Sequence, residues 1–226
     1  MASNNHFSRG ATYEKLVGGT STRLAAAALS YLPFSTYTSS TRILDSACGP
    51  GIVTKLLLSP TPHDVSVPGL PLSPPPRVTG IDLLPPMIDQ YNQNIAMLGW
   101  STADAYVQDS ADLSRFGDGE FDAVVMSLGI FALKDTAAVV AEIHRVLKPG
   151  GHAVVTTWKT RRPQSIFQNA VEAMRSPLWT ASIWEGWSEG EKGQWRGEVT
   201  RQLSEQEKAT ATIEMVGWIC IAQKEA

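Results

Sequence analysis

The stretch Ile43 to Thr54, ILDSACGPGIVT, constrains this chain more than any other. An apolar run closes on an acid, Asp45; small residues follow at alternate positions, Ala47, Gly49 and Gly51; a helix-like pattern opens at Ile52. Small residues let backbone approach a ligand closely, and parallel α/β sheets bind ligands at the carboxyl edge of their strands. An ionised acid at that edge suits a cationic group such as an ammonium. The competing reading is a tight strand-to-helix turn with no ligand, because glycine turns are common.

The rest of the chain alternates between strand-like and helix-like periods, the pattern of a doubly wound, mostly parallel α/β sheet. The periodicity predicts a helical segment from Tyr13 to Leu32, divided at Gly18-Gly19, then a strand over Arg42 to Ala47 and a helix over Ile52 to Leu58. Strands follow at Val78 to Leu83, Ala105 to Val107, Phe121 to Gly129 and His152 to Trp158. Helices are expected at Pro85 to Leu98, after an Asp135 N-cap, and from Pro163 to Met174. Lys148-Pro149-Gly150-Gly151 reads as a stop. Seven of the fourteen prolines lie between Pro60 and Pro76, which predicts an extended or partly disordered surface excursion. The tail is tryptophan-rich and glycine-interrupted; a helix over Glu198 to Thr210 and a last strand over Met215 to Ala222 fit it best. The expected organisation is one domain over 1–226, with a helical lid at 1–35, a proline-rich insertion at 59–77 and a tryptophan-rich tail with the last strand at 176–226.

Composition bounds the function. With 226 residues, 43% hydrophobic and 18% charged, the chain has globular character and room for one α/β core. A net charge of -3 disfavours nucleic acid and anionic membranes as partners. Two cysteines, Cys48 and Cys220, make neither a disulfide framework nor a metal site alone. No apolar stretch reaches transmembrane length, and Met1 to Gly10 lacks the apolar run of a secretory signal, so the expectation is a cytoplasmic protein.

Three further pieces sharpen the site. Asp82 closes the next strand in GIDL, where a carboxylate can accept from both hydroxyls of an adenosine ribose. Leu83 beside it offers an apolar face to the adenine. Val107 to Leu113 (VQDSADL) supplies an acid and small backbone positions for the adenine edge, and Asp118 to Asp122 turns into VVMSLG, followed by VLKPGG.

In this order and spacing, the four pieces resemble class I S-adenosylmethionine-dependent methyltransferases, from about Tyr13 to Lys159, with a weaker echo at Met215 to Lys224. The details YEKLVGG, LDSACGPG, VTGIDL, LKPGG and TTW are most similar to fungal small-molecule, secondary-metabolite enzymes. The resemblance implies S-adenosyl-L-methionine as cofactor, S-adenosyl-L-homocysteine as product, and an O, N or S acceptor on a small apolar metabolite. It places Asp45, Ala47, Gly49 and Gly51 along the methionine moiety and Asp82 on the ribose. Leu83 and Met87 would flank the adenine, and Asp109, Ser110 and Ala111 would meet its amino edge. Met126 and Ser127 would lie beside the sulfonium, with Tyr13 as a lid contact to the cofactor carboxylate. Trp158 and His6 are substrate-pocket candidates.

Two departures stand out: Ala47 occupies a position where the family often has glycine, and a few tens of residues that such enzymes carry before the tail are absent. The shortening predicts an incomplete sheet edge at the C-terminal side and leaves room for a homodimer through that part. It also motivates an alternative, a cofactor-binding protein of this fold that does not transfer methyl, serving as a partner subunit or a non-methylating enzyme. No residue stands out as a general base, and none is required unless the acceptor must lose a proton in the transition state. A nicotinamide dehydrogenase would carry G-x-G-x-x-G after the first strand, whereas Thr54 stands where the third glycine belongs. A nucleic-acid methyltransferase is opposed by the acidic balance and by the lack of Asn-Pro-Pro-aromatic after VVMS.

Overall fold

The computed structural model describes residues 19–60, 65, 67–160, 188–210 and 216–225. The expected helix at Pro163 to Met174, most of the tryptophan cluster, Tyr13 and His6 lie outside them. The described residues between 19 and 157, with those from Trp218 onward, form one compact unit; those from Trp158 to Gly217 belong to a second.

In chain order the larger unit contributes α1 (Thr20–Leu29), β1 (Arg42–Ser46), α2 (Ile52–Leu58), β2 (Arg77–Asp82), α3 (Pro85–Leu98), β3 (Ala103–Val107), β4 (Phe121–Ser127) and α4 (Thr136–Val146). Next come β5 (Leu147–Thr160), then α5 (Glu189–Gln202) and α6 (Glu205–Thr210) of the second unit, and β6 (Val216–Gln223). The sheet order is β3-β2-β1-β4-β5-β6. β1 pairs in parallel with both β2 and β4, so the strand order reverses between β1 and β4. That reversal opens a crevice at the strand tips, where doubly wound folds bind ligands. The Gly150 N–H donates to the Lys224 carbonyl and the Lys224 N–H to the Gly151 carbonyl, each at 2.9 Å. The end of β6 therefore lies beside the start of β5, an antiparallel edge on an otherwise parallel sheet.

Strand alternation sorts the core. Ile43, Val78, Ala123 and Val125 meet α1 and α2 on one face; Leu44, Val124 and Met126 meet Val139, Ile143 and Val146 of α4 on the other. A third cluster, Cys48, Ile88, Tyr91 and Trp100, packs α3 beside the β1–α2 turn. Asp135 caps α4 as expected, its Oδ1 accepting the Ala138 N–H at 2.9 Å.

Two expectations need correction. The proline-rich segment is not a bare surface excursion: Val65, Val67 and Leu72 are buried in the first cluster, and the Leu72 N–H donates to the Leu57 carbonyl at 2.9 Å. Proline blocks regular structure but does not stop interleaved valines and leucines from leaving water. Helix α4 does end at Val146, as the stop at Lys148 to Gly151 predicts, but that stretch is not a break before the next strand. It lies inside β5, where the pairing jumps from Phe121↔Leu147 to Ala123↔His152 and the extra residues are absorbed as an irregularity. The expected tail helix is two helices, α5 and α6, and the last strand falls within a residue of the sequence reading.

Candidate active site at the strand tips

Asp45, the penultimate residue of β1, has 1% exposure. Its Oδ2 accepts the Thr54 hydroxyl at 2.8 Å and the Thr54 N–H at 3.3 Å, which places the carboxylate at the positive N-terminal end of α2. The Tyr91 hydroxyl lies 2.7 Å from Thr54 Oγ1. Among the described residues Oδ1 takes no hydrogen bond. Burial, reinforced by the nearby negative charge of Asp82, pushes the Asp45 carboxyl up to about 7 against the two hydrogen bonds from Thr54.

Asp82 ends β2 next door. Its Oδ2 accepts the Gly49 N–H and its Oδ1 the Leu84 N–H, both at 2.9 Å, so one carboxylate ties the β1–α2 turn to the β2–α3 turn. Each oxygen keeps a further lone pair. Burial raises this carboxyl too. The buried Cys48 thiol feels both carboxylates, its own ionisation pushed up by desolvation and then by Asp45 and Asp82. The two acids therefore border a single turn.

The small residues of that turn divide their work. A Cβ built on Gly49 would meet nothing within 4 Å, so its side faces open space. Gly51 faces the protein: a Cβ there would come within 2.9 Å of the Tyr91 ring and 3.1 Å of Trp100. Ala47 holds a left-handed φ of 54°, a region that favours glycine, and Leu128, just past β4, does the same at 61°. Strained residues at two neighbouring strand tips are what a site built on backbone shape requires. Gly129 makes room for the first of them, since a Cβ there would fall 2.5 Å from the Ala47 methyl.

The remaining predicted positions distribute as follows. Leu83 is 56% exposed, an apolar surface beside Asp82. The Ser110 hydroxyl lies 2.9 Å from that of Ser46, and Asp109 Oδ1 accepts the Ala111 N–H at 2.9 Å, which shapes the loop after β3. Ser127 Oγ lies 3.3 Å from Thr156 Oγ1, and the same threonine oxygen accepts the Leu128 N–H at 3.0 Å. Met126 and Met87 are buried, Met126 wholly inside the second core cluster. Trp158 is half-buried on β5 in the second unit. Sequence reasoning missed Thr54, Tyr91 and Leu128. Thr54 was legible as a helix-opening threonine nine residues after Asp45, whereas nothing in the sequence pairs Tyr91 with either.

Residues 44–155 match the family model described as a methyltransferase domain. Over that stretch the chain is similar to methyltransferase domains, and the curated relatives it matches are named methyltransferases. It is 32% identical over 127 residues to a ubiquinone/menaquinone biosynthesis C-methyltransferase, UbiE, of Geotalea daltonii, covering 56% of this chain and 49% of the relative. It is 29% identical over 136 residues to the methyltransferase tpcH of Aspergillus fumigatus, covering 60% and 45%. The chain thus spans about half the length of the curated relatives it matches. Among solved structures, a phosphoethanolamine N-methyltransferase of Haemonchus contortus superposes with TM-score 0.57 at 16% identity, over 96% of this chain and 57% of that one. The [4+2]-cyclase SpnF superposes with TM-score 0.55 at 19% identity, over 90% and 81%. Both likenesses are likenesses of fold. Among the described residues no helix is long and apolar enough to cross a membrane.

Proposed function

We propose that this chain transfers a methyl group from S-adenosylmethionine to an O, N or S atom of a small, apolar metabolite. The observation that carries the reading is the pairing of a buried carboxylate, Asp45, and a half-buried one, Asp82, around one open-sided glycine turn. Asp45 Oδ1 would take the ammonium of the methionine end, and the spare lone pairs of Asp82 the ribose hydroxyls. Leu83 would cover one face of the adenine, and the loop Asp109 to Ala111 would meet its edge. Gly49 would let backbone approach the ligand, whereas Gly51 and Met126 serve packing beneath it. The residues fit the cofactor: two anions, one cation, and open space where a side chain would otherwise stand.

When bound, the cofactor supplies an activated methyl on a sulfonium. The protein's part is to hold both reactants in line and exclude water, which can account for much of the acceleration. His152 pairs with Ala123, well back from the Ser127↔Thr156 tips, and the His144 carbonyl caps the Lys224 ammonium, so neither histidine stands at the tips as a base. A homodimer through the C-terminal part belongs to the same reading, with β6 at the sheet edge carrying exposed Cys220 and Ile221.

The test is calorimetric titration with S-adenosylmethionine and S-adenosylhomocysteine, followed by transfer of labelled methyl to phenols, amines, thiols and, because the UbiE relative is named a C-methyltransferase, to quinol carbon. Absence of binding removes the reading. Binding without transfer to any acceptor favours the alternative, a protein of this fold with another role, as the likeness in fold to a solved [4+2]-cyclase illustrates.

A further inference from the structure

Tyr91 has no place in the cofactor contacts, yet among the described residues it is the largest fully buried side chain. Its ring packs edge-on against Trp100, centroids 5.8 Å apart, and lies over Gly51 and Gly80 so closely that a Cβ at Gly80 would fall 2.7 Å from the ring. Such packing leaves its hydroxyl one position to occupy, 2.7 Å from Thr54 Oγ1. Thr54 has a single hydroxyl proton and gives it to Asp45 Oδ2, so the Tyr91 hydroxyl is the donor to Thr54. The result is a buried, one-directional chain, Tyr91 to Thr54 to Asp45, that ends on the inner oxygen of the carboxylate.

We propose that Tyr91 is a positioning residue for the cofactor's ammonium: through Thr54 it locks Asp45 with Oδ2 turned into the protein and Oδ1 kept for the ligand. The inference rests on the cofactor reading above. Both donors of Thr54 converge on Oδ2, and polarised hydroxyl chains hold a buried anion better than a lone donor does. The groups that face Asp45 from the surrounding elements are Asp82 from β2, Cys48 from the turn and Tyr91 from α3, with Asp104 of β3 acting on Tyr91. Burial keeps Cys48 and Tyr91 uncharged, so Asp82 supplies the negative charge against which the relay holds the carboxylate.

The test uses the full chain with Tyr91→Phe, which keeps the ring and removes only the hydroxyl. Two ligands are titrated between pH 6 and 9: S-adenosylhomocysteine, which carries the ammonium, and 5′-methylthioadenosine, which lacks it. Loss of one hydrogen bond to the relay should weaken S-adenosylhomocysteine by about five- to tenfold at pH 7. It should also move the midpoint of its pH dependence upward, and leave 5′-methylthioadenosine unchanged. Thr54→Val should reproduce the effect and Thr54→Ser should restore binding. Equal weakening of both ligands, or an unmoved pH midpoint, overturns the positioning role while leaving the cofactor reading intact. Failure of the unmodified protein to bind either ligand overturns the cofactor reading itself, and this inference with it.

Discussion

The two oxygens of Asp45 differ: Oδ2 caps α2 through Thr54, and Oδ1 takes no hydrogen bond among the described residues. Its carboxyl is raised to about 7, mainly by burial, far above its value in an unfolded chain. Protonation is thus favoured by folding, and the associated stability is fully present below about pH 4 and lost as pH rises through about 7. Asp45→Asn should therefore gain stability relative to the unmodified protein at pH 8 but not at pH 4, as read from urea midpoints. The same substitution should abolish the rise in S-adenosylhomocysteine affinity expected between pH 6 and 8, because a cation favours the ionised form. An unchanged pH profile in this variant would show that the titrating group lies elsewhere. Asp82→Ala should weaken the ligand by about 1–3 kcal/mol, the range for buried donors left unpaired. It should also lower stability, since the Gly49 and Leu84 amides lose their acceptor. Calorimetry on a folded variant with unaltered affinity would remove Asp82 from the site.

At the scale of elements, α3 fits under β2 only because Gly80 has no side chain. Gly80→Ala would drive a methyl into the Tyr91 ring and should cost about 1–3 kcal/mol, the range for overpacking a filled core. A lower urea midpoint with unchanged slope reports it; an unaffected midpoint would mean α3 can shift away. Most element positions were legible because each has a local cause. Helix α2 spans Ile52–Leu58 and α3 Pro85–Leu98, as the periodicity and the opening prolines of α3 predict. The misses share another cause. Lys148-Pro149-Gly150-Gly151 has the composition of a stop, but pairing with β4 and β6 on either side carries it into β5. The proline-rich stretch has the composition of a loop, but Val65, Val67 and Leu72 meet apolar partners that only the fold supplies.

For the whole molecule, a ligand that binds the folded state alone adds stability by mass action. Saturation with S-adenosylhomocysteine at a hundredfold excess over its dissociation constant should add about 2.7 kcal/mol. The gain should appear as a concentration-dependent rise in Tm, greater at pH 8 than at pH 6 because of Asp45. A Tm that ignores the ligand at all concentrations would count against the site. The C-terminal segment takes part in that cooperative unit. The Lys224 ammonium donates to the His144 carbonyl at 2.9 Å and the Leu147 carbonyl at 2.8 Å, closing the last turn of α4.

From the sequence alone came the alternation of strand and helix, the order of the four pieces, and the two acids at strand ends with small residues between them. Those are properties of neighbouring residues, and periodicity of two or 3.6 records them directly. Only the tertiary structure decided which small residue faces space and which faces an aromatic ring, separating Gly49 from Gly51. It alone joined Asp45, Thr54 and Tyr91, the last 37 residues beyond Thr54, into one hydrogen-bonded chain. Such pairings depend on how α3 is laid against the β1–α2 turn, a choice set by packing across the sheet and invisible to any local pattern.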